Sequence, residues 1–470
     1  MDTTPISGSE EAKRPLPSIE IDAELVADIS SLVESDEHGM VMNIVTDLHP
    51  ADLAQLLTHI SIEDARRVFR WLPVEQAGET LTELDDEYRA RLLEETPDTR
   101  LAAILDELDT DDAADVIADL PTEVQRKVLP ALEDARDVQD LLAYHEESAG
   151  GIMAAEFVAV PEDWTVAQAT EEVRRNAETV EEIYVVFVVD PNGGLKGMVN
   201  LKRLLLSPAS RPIREIMESD IHAVTTDLDQ EEVARVMQRY DLVSLPVVDA
   251  GGRLVGRITI DDIVDVIRDE AEEDIQRMSG VSGAESPTDS VFRIVTHRLP
   301  WLLAGLAGAT LAASVIWMFD ATIQEASILA GFIPIIMATA GNAGIQSSAI
   351  TVQGLASGDM WATDLMHRVS KEVRVALLNA TISALVLGIG IVVLSPFIMG
   401  GIANAWLLAG TATAALLLVI VQASTMGTLI PLLLNRLGID PALATGPFIT
   451  TSNDIIGIVV FFLLARLLYL

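Results

Sequence analysis

The sequence predicts a multi-domain membrane protein: an all-α helical-repeat N-terminal domain, an α+β pair of repeated modules, a connecting helix and a five-helix transmembrane domain. Three observations predict it. Five apolar spans follow residue 290, a 12-residue repeat runs from Leu48, and a longer duplication occupies residues 148–268. These patterns place a disordered tail at 1–20, the helical domain at 21–146, the module pair at 147–268, a connecting helix and linker at 269–290, and the transmembrane domain at 291–470.

Charge divides the chain in the same way. It carries 72 acidic and 31 basic residues, a net −41. From Val291 onward seven acids (Asp320, Glu325, Asp359, Asp364, Glu372, Asp440, Asp454) balance seven bases (Arg293, Arg298, Arg368, Lys371, Arg374, Arg436, Arg466), so the first 290 residues hold the whole excess. Such a surface repels nucleic acid and anionic lipid and attracts cations. Two explanations compete: divalent-cation sensing, and adaptation to a salt-rich cytoplasm. The excess is spread over nearly every soluble segment, so salt adaptation accounts for most of it and metal ligands for a minority. The chain has no cysteine, which removes disulfides, thiolate metal sites and thiol chemistry. Residues 1–20 are polar and acidic with prolines, unlike the basic-then-apolar order of a signal peptide.

The 12-residue repeat holds its register for eight units. They begin LHPADLAQLL (Leu48), ISIEDARRVF (Ile60), LPVEQAGETL (Leu72), LDDEYRARLL (Leu84), TPDTRLAAIL (Thr96), LDTDDAADVI (Leu108), LPTEVQRKVL (Leu120) and LEDARDVQDL (Leu132). Most show an apolar first residue, a turn or cap residue, an early acid and two apolar residues at the end. Early proline or aspartate and an acid in the first turn suit a helix start. Each unit is therefore one short helix and a turn, and helices this short must stack into a solenoid to bury their apolar stripes. A plain spacer and a regulatory domain both fit this pattern.

The second duplication pairs IMAAEFVAV at Ile152 with IMESDIHAV at Ile216, and VVDPNGGLKG at Val188 with VVDAGGRLVG at Val247. Helical stretches lie between, at Val166–Asn176 and Gln230–Tyr240, and after, at Leu201–Leu206 and Asp261–Arg268. Val-Val-Asp followed by glycines reads as strand, tight turn and strand. The pair resembles tandem CBS modules, some of which bind adenine nucleotides through Gly-x-x-Ser/Thr-x-x-Asp. The second module carries this as Gly256, Thr259 and Asp262; the first departs from it at Gly197, Asn200 and Arg203. The resemblance leaves one candidate ATP site.

The apolar spans run roughly Pro300–Phe319, Ser327–Val352, Val373–Met399, Ala403–Leu434 and Leu443–Leu468, each long enough for about 30 Å of hydrocarbon. Lysine and arginine flank the first span on its N-terminal side, the second-to-third loop and the fourth-to-fifth loop, and are missing from Asp320–Ala326 and Gly400–Ile402. The N-terminal domains are expected in the cytoplasm and the C-terminus outside. Asp454 lies deep in the last span, after Thr450, Thr451, Ser452 and Asn453. A carboxylate there costs several kcal/mol (roughly 2.5–3.5 on insertion scales) unless water, a cation or a partner helix answers it. Helix glue is one reading and a cation site in a pore the favoured one.

In this order the parts resemble the MgtE family of magnesium channels over nearly the full length. The motifs are FIPIIMATAGNAGIQSSA in the second span, with Pro334, Gly341, Asn342, Gly344 and Gln346, and LIPLLLNRLGIDPALATGPFITTSNDIIG across the fourth and fifth, with Pro431, Asp440, Pro441, Pro447, Asp454 and Gly457. The resemblance implies a homodimer in the bilayer, with a pore on the dimer axis lined by the second and fifth helices and Asp454 from each subunit as the selectivity site. Two facing carboxylates can hold a largely hydrated magnesium ion, which dehydrates reluctantly, and monovalent ions gain about half the Coulomb energy.

Residues 262–275, DIVDVIRDEAEEDI, set Asp262, Asp265, Asp269, Glu272 and Glu273 along one helix as an acidic stripe with few basic partners. By spacing alone it is a solvated face or a site. The resemblance implies a plug helix held over the pore mouth by regulatory magnesium, with matching positions Asp262, Asp265, Glu270, Glu273 and Asp274, further acids Asp229, Glu231 and Asp241 in the second module, and Asp440 at the inner pore mouth. The expectation is a magnesium channel, not an enzyme, importing Mg2+ across the cytoplasmic membrane and shut by internal Mg2+. A non-conducting divalent or nucleotide sensor, or a cobalt or manganese transporter, are the alternatives.

Overall fold

The computed structural model describes residues 21–177, 179–180, 182–281, 290–357, 365–397 and 404–470. The tail expected at 1–20 and the linker at 282–289 lie outside the described residues. The chain divides into two units. One takes in residues up to Val233 with Tyr240–Asp262, the other Ala234–Arg239 with Ile263–Leu470.

The first unit opens with α1 (Ala23–Glu34) and α2 (His38–Val45). The repeat follows as α3 (Pro50–His59), α4 (Ile62–Trp71), α5 (Val74–Thr82), α6 (Asp86–Leu93), α7 (Asp98–Leu105), α8 (Thr110–Asp119), α9 (Thr122–Val128) and α10 (Ala135–Leu141). From α3 to α9 each helix starts two residues into its 12-residue unit, because the second residue acts as the cap. Ser61 accepts from the Asp64 amide and Asp85 from the Tyr88 amide, which satisfies amides left open at a helix start. A 3-10 turn at Leu129–Ala131 delays α10 by one residue. Next-but-one helices pack together, α3 on α5, α5 on α7, α4 on α6 and α6 on α8, which makes the stack a two-layered solenoid. Leu48, Ile60, Leu72, Leu84, Leu120 and Leu132, which open six of the units, are all buried.

The duplicated modules have the same order. The first is β1 (Ala159–Pro161), α11 (Val166–Arg175), β2 (Val185–Val189), β3 (Leu195–Asn200) and α12 (Leu201–Leu206); the second is β4 (Val224–Thr225), α13 (Gln230–Tyr240), β5 (Ser244–Val248) and β6 (Leu254–Thr259), followed by α14 (Ile260–Met278). In each sheet the first strand pairs parallel with the second and the second antiparallel with the third. The hairpin turns need left-handed backbone at Gly193 (φ 82°) and Gly252 (φ 76°), where glycine has no Cβ penalty. Asp190 and Asp249 side chains accept amides two residues on, at 2.9 and 2.8 Å. The two turns also pair with each other, Leu195 N to Gly252 O at 3.2 Å and Leu254 N to Gly193 O at 3.0 Å. The helix expected to end at Arg268 continues to Met278, so no break separates it from the expected connecting helix.

The second unit holds α15 (Val291–Met318), the short α16 (Asp320–Glu325), a 3-10 segment (Ser327–Phe332), α17 (Ile333–Ala356), α18 (Leu365–Leu394), α19 (Ala405–Arg436) and α20 (Thr450–Leu468). Among the described residues five helices are long and apolar enough to cross a membrane. α19 is the most enclosed, with Ala409, Ala412, Ala415, Val419, Ala423 and Gly427 buried along one side. Small residues let backbones approach where lipid offers no hydrophobic drive. Leucines such as Leu302, Leu306, Leu378 and Leu385 are exposed, as a lipid-facing surface requires. The fifth helix starts later than the apolar span at Leu443 suggests. Residues Pro441–Ala444 form a 3-10 turn and Thr445–Ile449 a π-turn broken at Gly446 (φ −41°, ψ −123°). Gly446 precedes Pro447, and the residue before proline is disfavoured in helical geometry.

Where α19 crosses α17, a Cβ on Gly427 would lie 2.3 Å from the Gly344 carbonyl oxygen. Backbone cannot step aside as a side chain can. Gly427→Val is expected to cost about 1–3 kcal/mol or more, read as a lowered thermal midpoint in detergent. Gly410→Val, where a Cβ meets nothing within 4 Å, is expected to be nearly neutral.

Candidate cation sites

The described part of the last span carries two charged residues, Asp454 and Arg466, and Asp454 is the deeper. Asp454 is half-buried on α20, while Ile449, Asn453, Gly457 and Phe461 on an adjacent face are fully buried. Close approaches fix this helix. A Cβ on Gly308 of α15 would lie 2.3 Å from Thr451 Oγ1, and one on Gly344 of α17 would lie 2.1 Å from Asn453 Nδ2. Gly457 faces Val419 of α19 and Ile336 of α17. The Gly-Asn-x-Gly segment of α17 is thus a seat for α20 at its second glycine. Glu372 of α18 accepts a hydrogen bond from Ser347 of α17 at 2.6 Å, a second carboxylate against α17 that sequence reasoning passed over.

In the first unit a cavity of about 50 Å3 is lined by Asp109, Asp111, Asp112, Ala154, Glu182, Arg257, Thr259, Asp261 and Asp262. It brings the start of α8 against the second module. Thr110 donates through its amide to Glu156 Oε1 (3.1 Å) and through Oγ1 to Glu156 Oε2 (2.7 Å). Arg257, 4 % exposed, donates to the carbonyls of Glu156 (2.8 Å) and Glu182 and lies 3.7 Å from Asp109 Oδ2. Burial is the main force on the acids here and pushes their carboxyls up, Asp112 to about 7 and Asp262 to about 6, with Asp111 raised well above the usual range. Repulsion from Asp262 adds to the rise in Asp111 and Asp112, whereas the Thr259 hydroxyl opposes it in Asp262. Anything that neutralises them, proton or cation, relieves the same strain. Asp111 and Asp112 lie some 150 residues before Asp262, so no local pattern announced them.

The nucleotide signature lies at this same place. Thr259 Oγ1 donates to Asp262 Oδ2 at 2.7 Å, and a Cβ on Gly256 would meet Met153 Sδ at 2.6 Å. Thr259 and Asp262 face carboxylates across a cavity far below the roughly 300 Å3 of small-molecule clefts.

The other expected ligands are placed as follows. Asp229 accepts from the Glu231 amide at 2.9 Å, as a turn residue before α13. Asp241 sits in left-handed backbone (φ 52°) just after α13. On α14 the acidic stripe is answered by arginines of the same helix, contrary to the few basic partners expected. Arg268 lies 3.0 Å from Asp265 and 3.3 Å from Asp269. Arg277 pairs with Glu273 and reaches Asp440 Oδ2 at 2.6 Å. Asp440 Oδ1 also accepts the Ala442 amide at 2.8 Å, and a Cβ on Gly446 would lie 3.6 Å from the Met278 carbonyl oxygen. The end of α14 is therefore fastened at the α19–α20 turn by a guanidinium. Glu270 and Asp274 lie on the same helix, partly buried. Among the described residues no three acidic or histidine side chains are close enough to hold one metal ion.

Comparison with known proteins accords with this organisation. Residues 333–464 match the family described as MgtE, divalent cation transporter, residues 48–147 the MgtE intracellular N domain, and residues 149–209 and 213–269 the CBS domain. The magnesium transporter MgtE of Enterococcus faecalis is 36 % identical over 335 residues, 71 % of this chain and 72 % of its own. That of Thermus thermophilus is 36 % identical over 343 residues, again 71 % and 72 %, and that of Bacillus subtilis 31 % over 331 residues, 70 % and 71 %. A crystal structure of the cytosolic domain of the Mg2+ channel MgtE in complex with ATP is 38 % identical and covers 51 % of this chain and 99 % of that one, with a TM-score of 0.49.

The raised carboxyls make the α8 contact pH-dependent. Folded acids that hold protons more tightly than free ones stabilise at low pH, and the benefit is lost as pH rises. The loss begins near the ordinary value of 3.8 and is complete above about 7. Amide exchange of Thr110–Asp119, corrected for intrinsic pH effects, is expected to be faster at pH 8 than at pH 5.5 without divalent ions. Millimolar magnesium at pH 8 is expected to restore protection, and Asp111→Asn with Asp112→Asn to flatten the dependence.

Proposed function

The chain belongs to the MgtE family of magnesium transporters, and on that footing we propose that it is a magnesium-selective channel of the cytoplasmic membrane, open for import and closed by internal magnesium. Asp454 carries the reading. It is the lone acid of the last span, half-buried, on a helix seated by glycines of α15 and α17. Its carboxylate suits a hydrated divalent ion held through its water shell. The helical solenoid and modules face the cytoplasm in this reading, because Arg293, Arg298, Arg368, Lys371, Arg374 and Arg436 all flank the same side of the spans.

The homodimer belongs to the same proposal. On α14, Val264, Ile267 and Ile275 are 58, 40 and 60 % exposed, an apolar stripe at helical spacing beside the acids. A second copy of α14 is an occupant that matches it. Closure by magnesium would act at two places. One is the acid-lined cavity of Asp111, Asp112 and Asp262, where a cation removes the repulsion that burial amplifies. The other is α14, through Asp265, Glu270, Glu273 and Asp274 with Asp229, Glu231 and Asp241 of the second module and Asp440 at the pore mouth. Arg277 holds two of those acids as a tethered cation.

Flux into proteoliposomes across a metal series tests this reading. Asp454→Ala is expected to abolish selective magnesium entry while leaving the protein folded, and parent-like flux and selectivity in that variant would remove the pore assignment. No flux from the parent under any divalent condition would instead favour a membrane-anchored sensor. Arg277→Gln removes the link between α14 and Asp440. Its magnesium-free basal flux is expected to rise above that of the parent, and an unchanged basal flux would show that the link does not restrain α14.

A further inference from the structure

The geometry points to Gln422 and Asn453 as a positioning pair for the pore carboxylate, a hydrogen bond between α19 and α20 that sets the rotation of α20 and so the direction of Asp454. This inference rests on the reading of Asp454 as the pore site. Gln422 Nε2 donates to Asn453 Oδ1 at 3.2 Å. Asn453 is 0 % exposed and, among the described residues, the one fully buried polar side chain of α20. It lies in the middle of the face Ile449, Asn453, Gly457 and Phe461, four residues apart and all buried.

Helix rotation in a bilayer has few determinants. Lipid tails are as apolar as the helix core, so burial does not choose which apolar face turns inward. Outside its first turn α20 is apolar except for Asp454 and Arg466. What distinguishes its faces is where small residues admit it and where a polar group finds a partner. Both conditions meet at Asn453. A Cβ at Gly344 would lie 2.1 Å from Asn453 Nδ2, and a Cβ at Gly427 would lie 2.3 Å from the Gly344 carbonyl oxygen. Three helices close on one amide, and the partner is supplied from α19. Asn453 Nδ2 itself has no partner among the described residues, so Gln422 alone ties this side chain.

Asp454 is the next residue, about 100° further round the helix at 3.6 residues per turn. Holding Asn453 inward therefore fixes the bearing of Asp454. A quarter turn of α20 would move the carboxylate into the α17–α19 packing or toward lipid, and in either place its cation site is lost. Gln422 lies on α19 and bonds Asn453, the residue before Asp454. It acts through Asn453.

The test uses the full chain in proteoliposomes. Gln422→Leu keeps bulk and deletes the donor without altering α20. It is expected to lower the ratio of magnesium to potassium flux about tenfold, the worth of one hydrogen bond, with unchanged yield of folded protein. Asn453→Leu is expected to do the same, and the double variant to be no worse than either, as for residues acting as one unit. A second readout uses the lack of cysteine in this chain. The thiol introduced by Asp454→Cys should react with a charged water-soluble thiol reagent in the parent background and about tenfold more slowly with Gln422→Leu. That comparison stands even if Asn453→Leu fails to fold. If Asp454→Ala loses selectivity while Gln422→Leu keeps both the flux ratio and the labelling rate, the pair is simple adhesion and the inference is wrong. If Asp454→Ala keeps selectivity, the pore reading has failed instead.

Discussion

A carboxylate inside hydrocarbon is tolerated only where water, a cation or a protein group answers it, and the membrane unit is arranged so that α20 presents Asp454 in one direction. The late start of α20 follows from the chain itself. Gly446 and Pro447 break the apolar run, so the polar residues Thr450–Asn453 form the first turn and Asp454 follows directly. Two neighbours then meet α20 through a missing side chain, Gly308 on α15 under Thr451 and Gly344 on α17 under Asn453, while α19 meets it through Val419 and Gln422. α19 is enclosed because it must approach both α17 and α20, and its row of alanines with Gly427 permits this. These glycines and alanines are consequences of having to seat one acid-bearing helix closely.

The first unit meets the opposite situation. Here many carboxylates crowd together, and the strain is relieved by sharing. Arg257 supplies one buried guanidinium to two carbonyls and Asp109, yet Asp111, Asp112 and Asp262 still repel one another. A proton relieves this repulsion, and a cation bound in the cavity would compete for the same oxygens. The dispersed acidity of the rest of the surface is a different matter, since exposed charges further apart than about 8 Å are largely screened at physiological ionic strength. Acids brought together by folding are screened much less, which sets the cavity acids apart from the rest of the acidic surface.

Much of the fold was legible because its signals are local. A cap residue at a fixed place starts the helix in seven of the eight 12-residue units, and a glycine in left-handed backbone makes each hairpin turn, so both repeats read directly from sequence. The fifth helix was drawn too early because hydropathy ignores a Gly-Pro break that backbone sterics enforce. The acidic stripe of α14 was read by counting acids. Arg268 stands three residues after Asp265 and Arg277 four after Glu273, spacings that pair charges on a helix, so this signal was present and overlooked. The contacts of Asp111 and Asp112 with the second module, of Arg277 with Asp440, and of Gln422 with Asn453 join distant parts of the chain. Nothing in a local window specifies them; they exist only once the units have folded.

Arg277 bears on how a magnesium gate would work in this chain. A guanidinium is planar and carries one charge, whereas magnesium demands octahedral oxygens and carries two. Arg277 pairs with both Glu273 and Asp440, so the guanidinium bridges two carboxylates as a tethered monovalent cation. A magnesium ion between the same two carboxylates would have to displace the guanidinium. With the arginine in place, α14 is fastened to the α19–α20 turn without any metal. A metal that displaced it would first have to break a charge-assisted pair, worth more than a neutral hydrogen bond. The end of α14 is thus held by the protein itself, and in the proposed gate ions at Glu273 and Asp440 would compete with Arg277 for the same carboxylates.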